Sequence, residues 1–447
     1  MVVTLHYEIG RILRNNMGQT KRKRHIVVIG AGAAGLMAAC AASDCGAAVT
    51  VLEKNEKAGK KIYITGKGRC NLTNACDLQE FWNHIVSNPK FLYSAVYGFD
   101  QQQMMRFLED NGCPVKTERG DRVFPVSDHA SDVTKALLYH LRNRNVEIRY
   151  HCPVKRILTA GEEKTFRVTG VETRTGERIE ADAVILATGG RSYPSTGSEG
   201  DGYRMGKELG IGVIQPAPSL VPVLTSEAWC ARLQGLSLKN VELTLLRPQE
   251  ETGRKKKKPL FTGFGEMLFT HFGISGPLVL TASCYMDFDS HPEGYFMRLN
   301  LKPALTEEQL AARIRREIDA APLKKMATVI RTLFPQRLAE EISSMSGIGE
   351  RTASSINDKE IDKLCELIRN VPIHASGTRG FQEAIVTRGG LDVKAFDPST
   401  MECKNVKGLY AAGEVLDVDA HTGGFNLQIA WSTGHLAGES AAEEAGI

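Results

Sequence analysis

A glycine-rich segment near the N-terminus has the residue types and the spacing that bind a nucleotide pyrophosphate. Gly30, Gly32 and Gly35 form the pattern G-x-G-x-x-G, and Glu53 follows about twenty residues later. The first glycine of this pattern allows a tight turn, the second lets the backbone approach a pyrophosphate, and the third lets a helix pack closely on a strand. An acid at this distance accepts hydrogen bonds from an adenosine ribose, and its charge disfavours a 2′-phosphate. These residues predict a dinucleotide site.

The segments around the glycines follow the order that such a site requires. Residues 25–29 form a short apolar, β-branched run that predicts a buried parallel strand. Residues 36–42 continue as an alanine-rich helix, and residues 48–52 form a second strand that ends at Glu53. The N-terminus of the helix offers unpaired N–H groups and a positive dipole end to the phosphates. This Rossmann-type unit alone does not distinguish FAD from NAD.

Two later segments favour FAD. Residues 181–190 form a strand that ends in Ala-Thr-Gly-Gly, which is typical of flavoproteins of the two-dinucleotide-binding class. Residues 408–414 form another apolar strand, which ends in Gly413 and Glu414, and in FAD-binding folds this acid lies by the ribityl chain or the pyrophosphate. The helix that follows residues 422–428 can point its N-terminus toward the flavin ring, where negative charge develops on reduction. We therefore predict non-covalently bound FAD.

A second glycine fingerprint, which a resident NAD(P)H would require, does not occur in the sequence. NAD(P)H is therefore expected to act as a transient hydride donor that visits the flavin as a substrate.

Candidates for proton transfer lie in two segments. Glu266, His271 and Ser275 could position a carbonyl group and donate a proton to it. The alternative is that the glycines and the proline after His271 only shape a turn into a helix, which this histidine caps. His421, beside the glycines that close the flavin site, is the other candidate acid. No hydrolase triad, P-loop or metal cluster is evident in the sequence.

The patterning divides the chain into an α/β FAD-binding domain and two insertions. Alternating apolar and polar residues over 146–180 predict a β-meander, residues 81–145 are expected to be mostly helical, and a composition shift comes near residue 216. The predicted parts are a flexible N-terminal extension (1–24), a discontinuous FAD-binding domain (25–216 and 372–447), a β-rich, barrel-like substrate or cap domain (217–303) and a small helical insertion (304–371).

Four further motifs carry a resemblance to a known family. They are residues 66–74 (GKGRCNLTN), 188–202, 265–277 and 413–424. With them the chain resembles the YhiN/BaiN-like family of NAD(P)/FAD-dependent oxidoreductases from about residue 25 to its end.

The resemblance implies a set of cofactor contacts and a reaction class. Both insertions are expected to cap the flavin face, and Cys70 is expected to pack near the flavin rather than act as a redox partner. Family members are assigned to C=C reduction in 3-oxo-Δ4 and Δ4,6 bile-acid intermediates and to dihydrouridine formation in ribosomal RNA. Besides the residues named above, the implied FAD contacts are Ala33, Ala34, Lys54, Lys61, Arg69, Asn71, Val154, Thr188, Gly189, Gly424, Asn426 and Leu427.

These observations favour a cytoplasmic ene reductase that acts on a small enone such as an oxo-bile acid. RNA is the alternative partner, because residues 21–24 and 254–258 are basic and residues 346–353 resemble the glycine turn of a helix-hairpin-helix. An oxidase that releases peroxide and a flavin-binding regulatory module are further alternatives. The net charge of +4 is too small to decide among them, and the ten cysteines form no C-x-x-C pair. No apolar run is long enough to span a membrane.

Overall fold

The computed structural model describes residues 22–161, 166–247 and 258–443. Most of the predicted N-terminal extension and residues 254–257 of the second basic run lie outside this part of the chain. The strands are β1 (His25–Ile29), β2 (Ala48–Leu52), β3 (Thr73–Asn74), β4 (Val115–Glu118), β5 (Arg122–Pro125), β6 (Glu147–Arg149), β7 (Val154–Ala160), β8 (Phe166–Thr173), β9 (Arg178–Glu180), β10 (Ala183–Leu186), β11 (Val213–Ser219), β12 (Val223–Thr225), β13 (Ser237–Leu246), β14 (Phe261–Thr270), β15 (Gly273–Ser275), β16 (Tyr295–Asn300), β17 (Val371–Thr378), β18 (Val386–Leu391), β19 (Val406–Lys407) and β20 (Leu409–Ala411). The α-helices are α1 (Ala33–Asp44), α2 (Leu78–Asn83), α3 (Tyr93–Gly98), α4 (Gln101–Asp110), α5 (Ala130–Asn143), α6 (Asp201–Glu208), α7 (Ala228–Arg232), α8 (Pro277–Ser283), α9 (Glu307–Ala320), α10 (Met326–Arg331), α11 (Gln336–Ser346), α12 (Asp358–Arg369) and α13 (Phe425–Glu443).

A parallel five-stranded sheet in the order β20-β10-β1-β2-β6 forms the base of the fold. The predicted Rossmann-type architecture is therefore confirmed. Helices α1 and α13 pack against each other without large side chains between them. A Cβ on Gly434 would lie 2.4 Å from the carbonyl oxygen of Ala34, and one on Gly438 would lie 2.3 Å from that of Ala38. This close approach ties the C-terminal helix to the glycine turn after β1.

The predicted β-meander is present as the antiparallel strands β7, β8 and β9. The segment 81–145, however, is not only helical. Strands β4 and β5 form a hairpin around the turn at residues 119–121, and β5 also pairs with β3. Gly120 and Asp121 both have positive φ angles, which explains why the chain reverses here instead of continuing as a helix.

The β-rich insertion is a closed six-stranded barrel in the order β12-β15-β14-β13-β16-β17. Its sixth strand, Val371–Thr378, pairs with β12 and β16, whereas the sequence assigned residues from 372 onward to the FAD-binding domain. In the sequence, the helices α9 to α12 are therefore inserted between the barrel strands β16 and β17. Barrel residues such as Met297 and helical residues such as Ile314 belong to one apolar core.

Strands β11 and β18 pair antiparallel and connect the barrel to the parallel sheet. Within the described residues, no helix is both long enough and apolar enough to cross a bilayer.

Candidate cofactor and substrate site

A cavity of about 1310 Å³ lies at the carboxyl ends of β1, β2, β10 and β20, between the parallel sheet and the barrel. This is the position at which open α/β sheets bind nucleotides. Most residues that the sequence assigned to the cofactor line this cavity. They are Gly30, Gly32, Ala33, Ala34, Glu53, Lys54, Lys61, Arg69, Asn71, Val154, Thr188, Gly189, Glu414, Gly424, Asn426 and Leu427.

Gly35 and Gly413 are not part of the cavity wall, because both lie behind it. A Cβ on Gly35 would lie 1.9 Å from the carbonyl oxygen of Gly30, so this glycine lets α1 pack on the turn. A Cβ on Gly413 would lie 2.7 Å from the Cβ of Ala34. In contrast, a Cβ on Gly32 would meet nothing within 4 Å, because it would point into the cavity. The second glycine thus leaves open the space where a pyrophosphate would approach the backbone.

The carboxylate of Glu53 is already partly used by the protein. Its Oε2 accepts a 2.8 Å hydrogen bond from the Ala31 N–H, and its Oε1 accepts from the backbone and the side chain of Asn55. A carboxylate has about four acceptor positions. Glu53 therefore has room for one ribose hydroxyl rather than the two hydrogen bonds that the sequence suggested.

Glu414 is held by contacts from three directions. The Nζ of Lys61 lies 2.7 Å from its Oε2, while the Ser192 hydroxyl and the Thr387 N–H donate to its Oε1 at 2.7 and 2.8 Å. Lys61 also donates to the Ser192 hydroxyl at 2.6 Å. Ser192 and Thr387 were not selected from the sequence, although Ser192 lies inside the motif at 188–202. The network fixes the acid and the lysine at the cavity wall.

Lys54 and Arg69, which the sequence predicted to contact FAD, form ion pairs with acidic residues of the protein. Lys54 pairs with Glu199 and Asp201, both at 2.7 Å. Arg69 lies over the ring of Phe124 and donates hydrogen bonds to Glu118 and Asp128, and these hydrogen bonds raise the pKa of its guanidinium.

The cavity provides unused hydrogen-bonding atoms for a cofactor. Asn71 Oδ1 and Thr188 Oγ1 are buried, line the cavity and have no hydrogen-bond partner among the described residues. Buried polar atoms are normally paired, so these two fit a bound polar ligand. Together with the free N–H groups at the start of α1, they match what FAD requires.

Of the candidate acids, Glu266 lines the cavity, and His271 and His421 do not. Along β14, Met267 and Phe269 point into the barrel core, which turns Glu266 outward to the cavity. The strand then carries His271 to an exposed turn. His421 lies behind the wall, where its ring bonds to Tyr285 and to His84, and His84 itself lines the cavity. Burial lowers the pKa of His421 to about 4.

Sequence reasoning missed most of the wall opposite the glycine turn. The missed residues comprise an apolar group, an acid–histidine pair and exposed cations. They are Leu220, Ile385, Val386, Val418, Glu80, His84, Lys67, Arg119 and Arg122. Lys67 and Val418 lie within two of the family motifs, and the other residues are scattered along the chain outside any motif. No residue of the helical insertion lines the cavity, so among the described residues the barrel contributes to this face, through Glu266 and Pro277, and the helical insertion does not.

The chain matches the family model described as HI0933-like protein Rossmann domain over residues 24–440. It belongs to this family. It is an FAD-binding flavoprotein and a flavin-dependent oxidoreductase. The resemblance drawn from the motifs is confirmed.

Two relatives and one solved structure are similar over nearly the whole chain. The 3-dehydro-bile acid delta(4,6)-reductase of Clostridium scindens is 32% identical, and the match covers 94% of this chain and 99% of that protein. The ribosomal RNA dihydrouridine synthase of Escherichia coli is 28% identical over 91% of this chain and 95% of its own. The 3-ketosteroid delta1-dehydrogenase from Sterolibacterium denitrificans superposes with a TM-score of 0.51 at 15% identity, covering 95% of this chain and 100% of that one, so the fold is shared.

Proposed function

We propose that this enzyme uses NAD(P)H to reduce a C=C bond conjugated to a carbonyl, with 3-oxo-Δ4 or Δ4,6 bile-acid intermediates as substrates. The observation that carries the proposal is the mixed character of the cavity lining. Leu220, Val386 and Val418 are buried apolar residues, and Arg119 and Arg122 are exposed cations of the same cavity. Apolar residues and arginines in one cavity, which Glu80 and Asp121 also line, suit a steroid body that carries an anionic tail. The bile-acid reductase among the relatives supports the same substrate class.

FAD would be held by the glycine turn, Glu53, Lys61, Asn71 and Thr188, and it would supply the hydride for the β-carbon of the substrate. Within the protein, the apolar wall would bind the substrate and exclude water from the conjugated bond. Hydrogen-bond donors near the carbonyl would stabilise the negative charge that develops on its oxygen. An acid at the wall must then protonate the α-carbon.

Anaerobic stopped-flow spectroscopy tests this proposal. NADH or NADPH should bleach the flavin, and a 3-oxo-Δ4 or Δ4,6 bile acid should restore its absorbance with formation of the saturated product. Deuterium from the transferable position of the nicotinamide should appear in that product. Flavin that is reduced by nicotinamide but is not reoxidised by these steroids would contradict the substrate assignment.

A second candidate is dihydrouridine formation in ribosomal RNA. It is favoured by the exposed Lys67, Arg119 and Arg122 at the cavity, because such cations also suit phosphates, and by the ribosomal RNA enzyme among the relatives. The turn at 346–353 adds no support. The N–H groups of Gly347, Arg351 and Ala353 donate to carbonyl groups of the protein, and this turn lines no part of the cavity.

The two substrates differ in how binding depends on salt. RNA binding should weaken steeply with ionic strength, whereas steroid binding should change little. Reoxidation of the reduced enzyme by ribosomal RNA transcripts, with dihydrouridine detected by mass spectrometry, would favour the second candidate. Stoichiometric peroxide without any reduced organic product would instead indicate an oxidase.

A further inference from the structure

Four polar side chains form a continuous hydrogen-bonded chain from the cavity to the barrel. The carboxylate of Glu80 lies 3.0 Å from Nε2 of His84, whose Nδ1 lies 3.2 Å from Nδ1 of His421. The Nε2 of His421 lies 2.8 Å from the hydroxyl of Tyr285. Glu80 and His84 line the cavity, whereas His421 and Tyr285 lie behind its wall. The chain therefore has one end in the cavity and the other at a partly exposed tyrosine next to the barrel.

We propose that this chain, here called the relay, delivers the proton to the substrate α-carbon, with His84 as its cavity-side donor and His421 and Tyr285 as positioning residues. The inference rests on the proposed C=C reduction and names its acid. It moves the acid role from Glu266, His271 and His421 to a histidine that no sequence motif selects.

The directions of the hydrogen bonds in the relay are linked. Two N–H groups cannot face each other, so only one of the Nδ1 atoms of His84 and His421 carries a hydrogen at a time. The Glu80 carboxylate accepts from His84 Nε2–H, which leaves His84 Nδ1 as an acceptor of the His421 N–H. His421 Nε2 then accepts from the Tyr285 hydroxyl. All the ring nitrogens are satisfied in this single direction.

Proton delivery along this chain needs no charged imidazole. The β-carbon receives the hydride that originates from NAD(P)H, the π bond breaks, and the α-carbon takes the proton from His84 Nε2. His84 is refilled at Nδ1 from His421, which is refilled at Nε2 from Tyr285, which takes a proton from solvent. Each histidine changes tautomer in this step. Before the next turnover the reverse shift restores the starting tautomers, with a proton entering at His84 Nε2 from the open cavity and one leaving from Tyr285 to solvent. The low pKa of His421, about 4, is compatible with this neutral exchange.

The surrounding packing holds the relay in place. The ring of His84 stacks on Phe425 with centroids 4.2 Å apart, and Phe425 begins the helix that follows the Gly423–Gly424 turn. The backbone N–H of His421 donates to the carbonyl of His84 at 2.9 Å. Glu80 is about half exposed, with 53% of its side chain accessible, so a substrate can replace its contact with His84.

The test compares His84→Gln and Tyr285→Phe with a control, His140→Gln. His140 also pairs with a carboxylate, Asp44, but does not line the cavity. In stopped-flow experiments, flavin reduction by NADH and reoxidation by ferricyanide should match the wild type in all three variants, since neither step protonates a carbon. Reoxidation by a 3-oxo-Δ4 bile acid should slow by about 10²–10⁴-fold in His84→Gln, the usual size of general acid catalysis. Tyr285→Phe should also slow this step and change its solvent isotope effect.

Wild-type rates of reoxidation by the enone in both variants would overturn the relay. Its failure can be separated from failure of the proposed function by nitrogen NMR of enzyme labelled with ¹⁵N-histidine. Tyr285→Phe should shift the ring nitrogens of both His421 and His84, because their tautomers are coupled, even if no steroid reoxidises the flavin. A response confined to His421, with His84 unchanged, would overturn the relay on structural grounds alone.

Discussion

The Nζ of Lys61 lies 2.7 Å from the Oε2 of Glu414, although the two residues are separated by 353 positions in the sequence. Both side chains are about four-fifths inaccessible to solvent, with 22% and 19% exposed. Removing one member of a partly buried ion pair destabilises the protein, because the remaining charge has no partner. Because the cavity beside it must accept the anionic pyrophosphate of FAD, the sign of the remaining charge matters.

Lys61→Met should therefore weaken FAD binding more than Glu414→Gln does. The methionine leaves a carboxylate facing the cavity, whereas the glutamine leaves a cation and keeps an oxygen for Ser192 and Thr387. We expect the FAD dissociation constant to rise at least about tenfold in Lys61→Met, equivalent to about 1.4 kcal/mol. The FAD dissociation constant is measured from the quenching of flavin fluorescence when the apoprotein is titrated with FAD.

The double variant Lys61→Met, Glu414→Gln provides the control for this prediction. It should bind FAD more tightly than Lys61→Met alone, because it removes the uncompensated carboxylate. An equal or larger loss in Glu414→Gln than in Lys61→Met would contradict the electrostatic explanation.

The two glycines of the turn should respond differently to the same substitution. Gly32→Ala places a methyl group in open cavity at an ordinary φ of −80°, so the protein should fold normally and lose FAD affinity. Gly35→Ala places it 1.9 Å from a carbonyl oxygen, so the apoprotein itself should be destabilised. Thermal unfolding of apoprotein and holoprotein separates the two effects. Equal apoprotein melting temperatures for Gly35→Ala and wild type would contradict this account.

Cys70 should be chemically inert despite its place in the GKGRCNLTN motif. Its side chain is fully buried, and burial raises the pKa of its thiol to about 12, so almost no thiolate forms near neutral pH. Iodoacetamide should label the exposed Cys45 and leave Cys70 unmodified, as read by peptide mass spectrometry. Cys70→Ala should still allow NADH to reduce the flavin. Rapid labelling of Cys70, or loss of flavin reduction in a folded Cys70→Ala variant that retains FAD, would restore a redox role.

Local motifs predicted which residues meet at the cavity next to the glycine turn, because Gly30, Gly32 and Glu53 belong to one strand–helix–strand unit whose geometry is set by nearby residues. The substrate half could not be predicted in the same way. His84 and His421 are 337 positions apart, and Tyr285 belongs to the insertion that brings the barrel against them. Only the folded chain places these residues together.

The barrel boundary shows the same limitation. Strand β17 follows four helices in the sequence, and its residues from 372 onward were predicted to belong to the FAD-binding domain. Its hydrogen bonds to β12 and β16 are long-range contacts, which no local pattern reports.

Asp419 should make stability decrease as pH rises through the weakly acidic range. Burial raises the pKa of this carboxyl from 3.8 to about 6, although the Ser87 and Ser219 hydroxyls donate to it. Between these values the folded protein holds a proton that the unfolded chain has released. The stabilisation is therefore complete below the unfolded pKa and is lost as pH rises through the folded pKa, by about 3 kcal/mol in total.

Asp419→Asn removes this titration, and the amide can still bond to both serines. Its stability relative to the wild type should therefore increase between pH 3.8 and about 6, as measured by urea unfolding across that range. Asp397→Asn is a control with the opposite sign, and it is followed below pH 3.8, because hydrogen bonds from Ser399 lower the pKa of Asp397 from that value. This variant should lose stability relative to the wild type as pH rises toward 3.8. A pH-independent difference between Asp419→Asn and the wild type would show that the Asp419 carboxyl titrates as it does in the unfolded chain.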